Sequence, residues 1–324
     1  LLILAATVGV ISPSGYEVGP FLSIEQAALA QIIPPERRTQ VFAWYNLVGS
    51  FATALGALGG GVLAQVLQGG GATPLASYRV IITGYAMVGV LLGLLFTRLS
   101  PAAEVPPAEE ISGSPARQAS RFGLHRSRGV VLRLSALFAL DSFAGGLIVQ
   151  SIVAYWFHVR FGVEPALLGS IFFGANILDG LSSLSDSLVA ARVGLINTMV
   201  FTHLPSNILL MLVPLMPTLS LAIAVLLLRF SISQMDVPPR QSYVMAVVSP
   251  DERSAAAGIT GVARTTGASL SPVLTGLLLA NPALFSVPFF LAGGLKIVYD
   301  LALYRSFRAL KPPEEKISQT TAYS

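Results

Sequence analysis

The chain has 324 residues, of which 53% are hydrophobic and only 11% are charged, and its mean hydropathy is +0.72. A soluble domain usually carries about 25% charged residues, so this composition excludes an ordinary soluble enzyme and a disordered chain. The lack of cysteine excludes disulfides and thiolate metal sites, and three scattered histidines argue against a zinc site. The net charge of +4 does not indicate a nucleic-acid partner, because the basic residues punctuate apolar runs instead of clustering. We therefore expect a membrane protein with no cofactor and no metal.

Long apolar segments follow one another along the chain. A helix needs about 20 mostly apolar residues to cross a hydrocarbon core of ~30 Å. Nine segments satisfy this requirement, and the predicted spans are 1–33, 41–66, 79–98, 130–157, 165–187, 195–216, 218–248, 254–280 and 284–307. These runs lack the two-residue alternation of membrane strands. The sequence predicts an all-α integral membrane protein with about nine transmembrane helices.

One polar segment, 99–129, interrupts this series. Its prolines and charged residues, among them Glu109, Glu110, Arg117 and Arg121, are typical of a solvated linker. It separates three spans in 1–98 from six spans in 130–310, which a polar tail, 311–324, follows. The apolar run is already under way at residue 1, without the charged start of a signal peptide, so we interpret the chain as lacking its first spans.

The basic residues predict the orientation of the spans. Thirteen of the 20 lysines and arginines fall on one side of the predicted membrane, namely Arg37, Arg38, Arg98, Arg117, Arg121, Arg126, Arg128, Arg192, Arg253, Arg305, Arg308, Lys311 and Lys316. The positive-inside rule makes this side cytoplasmic, together with the linker and the C-terminus. We expect a multi-pass protein of the plasma or bacterial inner membrane.

An internal repeat relates two parts of the chain at an offset of 215 residues. The segments 34–63 and 249–278 both begin with a Pro-acid-Arg turn, and the matched pairs are Pro35 with Pro250, Glu36 with Asp251, Arg38 with Arg253 and Gly61 with Gly276. A proline and an acidic residue suit the start of a helix. Internal repeats in membrane proteins are typical of secondary transporters, whose substrate site lies between the repeats near the midplane.

With this arrangement the chain resembles the major facilitator superfamily, in which a cytoplasmic linker joins two six-helix halves. The resemblance implies that the chain corresponds to helices four to twelve. The turns at Pro35 and Pro250 look like the loops that precede helices five and eleven of that family. Asp186, Arg192 and Gly194 look like a second copy of its acid-and-basic gating loop.

A glycine-rich stretch in the span 41–66 carries a further resemblance. Gly56, Gly59, Gly60 and Gly61 resemble the Gly-Pro-x-x-Gly-Gly motif in helix five of proton-coupled antiporters, although Ala57 replaces the proline. This motif favours efflux. From the residues alone, we expect Gly56, Gly60 and Gly61 to allow close helix packing.

Charged residues inside the predicted spans are the candidate site residues, because a charge at the bilayer centre costs at least ~2.5–3.5 kcal/mol. Glu25 and Arg240 are equivalent in the repeat, and each lies ten residues, or about 15 Å, before its turn proline. By the family resemblance they would face each other across a central cavity. Asp141 also lies near mid-depth, and the remaining candidates for substrate binding or proton coupling are Glu17, Asn176, Asp179, Asp236 and Arg264.

Spacing along the helices predicts some of the partners. Asp236 with Arg240 and Lys296 with Asp300 are four residues apart and can form ion pairs within a helix. For the first pair, a gating role stays open. Glu25 and Asp141 have no partner on their own helices, which makes them the predicted proton carriers.

Two adjacent prolines predict a bend in one of these spans. Pro238 and Pro239 interrupt the span 218–248, and a bent helix suits one that lines a cavity and rocks.

These features predict a monomeric secondary transporter that works by alternating access, exports small organic molecules or drugs and is coupled to protons. The main alternative is an importer of an organic anion, in which Arg240 and Arg264 bind a carboxylate. A membrane enzyme is disfavoured, because the sequence contains no HExxH, GxSxG or P-loop pattern. A non-transporting sensor would need an added soluble domain, which the short tail does not supply.

Overall fold

A computed structural model describes residues 21–98, 123–163 and 165–310, except for the side chains at 21–24, 53, 54, 56–58, 60–62, 64, 65, 74, 165, 166, 183, 186 and 187. All regular elements in these ranges are helical. The α-helices are α1 (Phe21–Ile32), α2 (Arg38–Gly69), α3 (Pro74–Phe96), α4 (Arg128–Gly146), α5 (Gln150–Phe161), α6 (Pro165–Val193), α7 (Leu195–Leu212), α8 (Leu219–Ser233), α9 (Val237–Val247), α10 (Arg253–Leu279) and α11 (Val287–Phe307). We call α1–α3 the N-terminal region and α4–α11 the C-terminal region.

The helices have the dimensions of membrane spans. Five segments of the described chain are long and apolar enough to cross a membrane: Leu75–Phe96, Arg128–Phe161, Leu195–Leu215, Leu219–Val247 and Pro282–Phe307. The helices α2, α6 and α10 have 32, 29 and 27 residues, so each exceeds the length that a ~30 Å core requires. The predicted all-α membrane fold is confirmed.

Two of the predicted spans are divided. The span 218–248 breaks between α8 and α9 at residues 234–236, and the buried Pro238 and Pro239 lie in the first turn of α9. A proline is tolerated there because its missing N–H would have no helical partner in that turn. The predicted interruption by these prolines is confirmed.

The predicted span 130–157 lies within the apolar segment Arg128–Phe161, but this segment is not one continuous helix. The helix α4 ends at Gly146, and α5 begins at Gln150 after Val149 takes an extended conformation. Gly145 and Gly146 weaken the helix at this point, because glycine is a poor helix former. Gly146 is also required by packing, since a Cβ there would lie 2.5 Å from the Ser271 hydroxyl of α10.

The two turns of the predicted repeat have the same local structure. The turns form short 3₁₀ helices, Pro35–Arg37 and Pro250–Glu252, and the helices after them start at Arg38 and Arg253. Each of these arginines donates a hydrogen bond to the carbonyl oxygen eight residues earlier. Arg38 reaches Ala30 at 3.4 Å, and Arg253 reaches Met245 at 3.1 Å. We call the end of the bundle that carries both turns the turn end.

Two apolar clusters fill the C-terminal region at different depths. The cluster nearer the turn end contains Leu134 and Phe138 of α4 with Tyr299 and Leu303 of α11. The other cluster contains Leu147, Trp156, Phe157 and Phe289. On both α4 and α11, polar residues lie between the two clusters. We call this level of the bundle the polar layer, and the candidate site lies in it.

Candidate functional site

The centre of the polar layer is Asp141 of α4. It lies 13 residues after the start of α4, or about 20 Å along the helix axis. Its Oδ1 accepts a hydrogen bond from Lys296 Nζ of α11 at 2.6 Å, and its Oδ2 accepts one from Arg240 NH1 of α9 at 3.1 Å. All three side chains are buried. Asp141 thus joins three helices by two ion pairs, with partners that lie on other helices.

The predicted pair between Asp236 and Arg240 is also present. Arg240 NH1 lies 3.3 Å from Asp236 Oδ2, so Arg240 is shared between two carboxylates. Its guanidinium also lies 5.7 Å from the ring centroid of Phe138. A buried guanidinium needs such partners, because burial removes its hydration.

The predicted pair between Lys296 and Asp300 is wrong. Lys296 reaches across to Asp141 on α4, whereas Asp300 turns to α7. There, Asp300 Oδ1 accepts from His203 Nδ1 at 2.8 Å, and Oδ2 accepts from Asn207 Nδ2 at 3.0 Å. Since α11 packs between α4 and α7, the two charges find partners on opposite sides of their helix. The sequence places all these polar residues in apolar spans, but its periodicity does not tell which helices meet.

Arg264 of α10 differs from Arg240 and Lys296. Its Nε donates to the hydroxyl of Ser142 at 3.3 Å, and its residue is half-buried. Among the described residues, no carboxylate oxygen lies within ion-pair distance of Arg264. Arg264 therefore contacts Ser142, the residue that directly follows Asp141. Its guanidinium keeps further N–H groups that can donate to a ligand.

Asp179 of α6 is held at the break between α8 and α9. It accepts from the Ser233 hydroxyl and, at 2.8 Å, from Gln234 Nε2. Asp179 is buried, and Asn176, one turn earlier on α6, is half-buried. The carboxylate of α6 thus binds the last residue of α8 and the first residue of the break.

Glu25 is bonded within the N-terminal region. Its Oε2 accepts from the Tyr45 hydroxyl of α2, whereas Arg240 is paired within the C-terminal region. Arg192 is exposed near the end of α6. Glu17 lies outside the described residues, and at Gly56, Gly60, Gly61 and Asp186 only the helical backbone is described.

A carboxylate at the turn end, which the sequence did not single out, holds the start of α4. The fully buried Glu252 accepts from the backbone N–H groups of Arg126 at 2.8 Å, Ser127 at 2.9 Å and His125. Burial alone would raise the pKa of Glu252, but the hydrogen bonds from Ser127, His125 and Arg126 lower this pKa to about 2. Glu252 thus acts as an N-terminal cap that is supplied by a distant loop. In the sequence, the acidic residues of the turn at Pro250–Glu252 were the signal that could have indicated this contact.

The two regions contact each other near the turn end. Arg253 NH1 donates to the Ala30 carbonyl at 3.3 Å and to Gln31 Oε1 at 3.2 Å. Farther from the turns, Asn46 Nδ2 of α2 donates to Gln241 Oε1 of α9 at 2.8 Å. These bonds join the N-terminal and C-terminal regions on the turn side of the polar layer.

Known proteins share this fold. The chain is 29% identical to the uncharacterized membrane protein YJR124C of Saccharomyces cerevisiae over 328 residues, which cover 94% of this chain and 73% of that protein. The structure is similar to a bacterial homologue of the iron transporter ferroportin in an outward-facing state (TM-score 0.60, 16% identity, 90% of this chain and 67% of the other).

It is also similar to the human organic anion transporter MFSD10, or TETRAN, with a TM-score of 0.61 and 17% identity over 87% of this chain and 67% of the other. The sequence model of the Major Facilitator Superfamily matches residues 8–272. This match covers most of the chain, so the protein is a membrane transporter, not an enzyme, and belongs to the Major Facilitator Superfamily.

Proposed function

We propose that this transporter carries small organic anions and binds their acidic group at Arg264. The observation that supports this proposal is the difference among the three cations of the polar layer. Arg240 and Lys296 are occupied by buried carboxylates, whereas Arg264 has a hydroxyl as its partner. A cation in the membrane interior without a carboxylate is costly, and an anionic ligand offsets that cost.

The neighbouring ion pairs supply a way to connect binding with motion. Ser142, which binds Arg264, directly follows Asp141 on α4. An anion at Arg264 therefore lies close to the bonds that Asp141 makes to α9 and α11. In this proposal, the anion weakens the hold of Asp141 on Arg240, and the two regions then rock around the site.

Proton coupling is part of the same proposal. Glu25, which accepts a hydrogen bond from Tyr45, can carry a proton in the N-terminal region. Asp141 is less suited to this role than the sequence predicts, because each of its oxygens already accepts from a cation. We favour uptake of an anion together with a proton over efflux of a drug, since the unpaired group near the site is cationic.

Transport by the purified full-length protein in liposomes tests the anion site. With an inward proton gradient, we expect uptake of radiolabelled benzoate or succinate, and at least about a tenfold lower rate for Arg264→Gln. The control variant Arg160→Gln removes an exposed arginine at the end of α5 and leaves uptake unchanged. Uptake of tetraphenylphosphonium in place of both anions, or anion uptake by Arg264→Gln at the normal rate, would contradict the proposal.

A further inference from the structure

A second polar cluster lies beside the anion site, on the far side of α11. It consists of His203 and Asn207 of α7 with Asp300 of α11, and all three residues are buried. Both oxygens of Asp300 accept hydrogen bonds from α7. The role of Asp141 in holding α4, α9 and α11 together does not need this cluster.

We propose that His203 and Asp300 form a proton-binding site, which takes up a proton when an anion occupies Arg264; the link to the anion rests on the proposed function. Nδ1 of His203 lies 2.8 Å from Asp300 Oδ1, and in this proposal it donates its hydrogen to that carboxylate oxygen. A proton from water then binds to the lone pair of Nε2. The Nδ1–H bond to Asp300 is kept, and the imidazolium that forms is neutralised by the Asp300 carboxylate.

The charges in the layer explain why the anion and the proton favour each other. Three carboxylates, Asp141, Asp236 and Asp300, face three cations, Arg240, Lys296 and Arg264. These six charges balance one another. An anion at Arg264 adds one negative charge, and a proton on His203 restores the balance, which burial in the membrane interior strongly favours.

The elements around His203 connect it to the anion site. The helix α11 packs on α7 and presents Lys296, Tyr299 and Asp300, and the ring of Tyr299 lies 6.0 Å from that of His203. The helix α9 also packs on α7 and carries Arg240, with Asp236 directly before it, while α4 contributes Asp141 beyond Lys296.

The other two helices that contact α7 carry their own charged pair. These are α6 with Asp179 and α8 with Arg229, and those two residues interact electrostatically with each other. The continuous route from Arg264 therefore runs through the Ser142–Asp141 segment and Lys296 to Asp300 and His203.

The first test needs no ligand, because Arg264→Gln removes the same charge that a bound anion neutralises. Nitrogen NMR of the full-length, histidine-labelled protein in lipid at pH 7 reports the protonation of His203, and variants of His125 and His158 assign the three signals. We expect Arg264→Gln to raise the imidazolium-to-imidazole ratio of His203 at least about threefold. Arg160→Gln leaves it unchanged. An unchanged ratio in Arg264→Gln overturns the proposal.

The second test adds succinate to the wild-type protein in weak buffer with a pH-sensitive dye. We expect proton uptake on binding, and loss of this uptake in His203→Gln with succinate binding retained. Succinate binding without proton uptake overturns the proton site and leaves the anion function standing. If neither succinate nor benzoate binds, the anion function fails, and the NMR ratio alone then supports or overturns the link between Arg264 and His203. If a variant does not fold, the His203 signal of the wild-type protein is compared with and without bound succinate, and an imidazolium fraction that does not rise on binding overturns the proton site.

Discussion

Asp141 illustrates how single residues hold this bundle together. Its two oxygens each accept from a cation on a different helix, and Asp300 is bonded twice to α7 in the same way. Hydropathy alone identifies these residues, because a charge in an apolar span needs a reason to be there. The four-residue spacing identifies the Asp236–Arg240 pair as well, since Asp236 directly precedes the helix that carries Arg240. The partners of Lys296 escape prediction, because they depend on which helices pack together.

We expect Asp141→Asn to destabilise the protein by about 3–5 kcal/mol and to abolish transport, because it leaves Lys296 and Arg240 with one buried carboxylate between them. Thermal unfolding in detergent and uptake in liposomes measure the two effects. The double variant Asp141→Asn/Lys296→Met removes one cation as well, so it recovers most of the lost stability while transport stays absent. Wild-type stability of Asp141→Asn alone would contradict the importance of these ion pairs.

At the scale of the elements, the loops of the repeat position the helices of the site. Glu252, in the turn before α10, accepts from the residues directly before α4 with its carboxylate, so this turn fixes the start of the helix that carries Asp141. The sequence predicts a helix start after each Pro-acid-Arg turn, and both starts are confirmed. It does not predict that the acid in one turn caps another helix, because that contact spans about 125 residues of chain.

The cap makes stability depend on pH. The pKa of Glu252 is about 2 in the folded protein, below the unfolded value of about 4.3. Its contribution to the free energy of unfolding is therefore complete above about pH 4.3 and is lost as the pH falls toward 2. We expect Glu252→Gln to lower the free energy of unfolding by about 2–3 kcal/mol at pH 7. This variant should also lack the part of the stability loss on acidification that protonation of Glu252 causes. The melting temperature measured by circular dichroism between pH 7 and pH 3 checks this.

Asp251→Asn is the matched control for that experiment. Asp251 lies in the same turn, but it is more exposed and contacts only the side chain of His125 among the ion pairs of the described residues, at 3.5 Å. We expect this variant to keep the acid sensitivity of the wild-type protein. An equal loss of stability on acidification in Glu252→Gln and in the wild-type protein would show that another group is responsible.

For the whole molecule, the sequence predicts the membrane class, the repeat and most helix positions, because these depend on hydropathy and local turn chemistry. The break after Gly146 was missed, since it lies inside one apolar run, and the close packing of Gly146 against Ser271 involves a helix remote in the chain. The contacts between the two regions were missed as well, because Arg253, Asn46 and Gln241 are polar residues whose partners are remote in the chain. These contacts show where the two regions must separate if the transporter opens at the turn end.

A cross-link between the regions tests that motion directly, since the chain has no cysteine of its own. In Asn46→Cys/Gln241→Cys, the two thiols replace groups that are hydrogen-bonded between α2 and α9 at 2.8 Å. We expect oxidation or a short thiol cross-linker to stop transport, because alternating access requires the regions to part, and dithiothreitol to restore it.

The control pair Gln68→Cys/Ser77→Cys replaces a bond of 2.9 Å between Gln68 and Ser77 inside the N-terminal region. Its cross-link does not join the two regions, so transport continues at the rate of the reduced protein. If both cross-linked variants transport equally well, the contact between Asn46 and Gln241 does not open during the cycle. If both stop, the N-terminal region itself must deform, and rigid rocking of two regions is the wrong description.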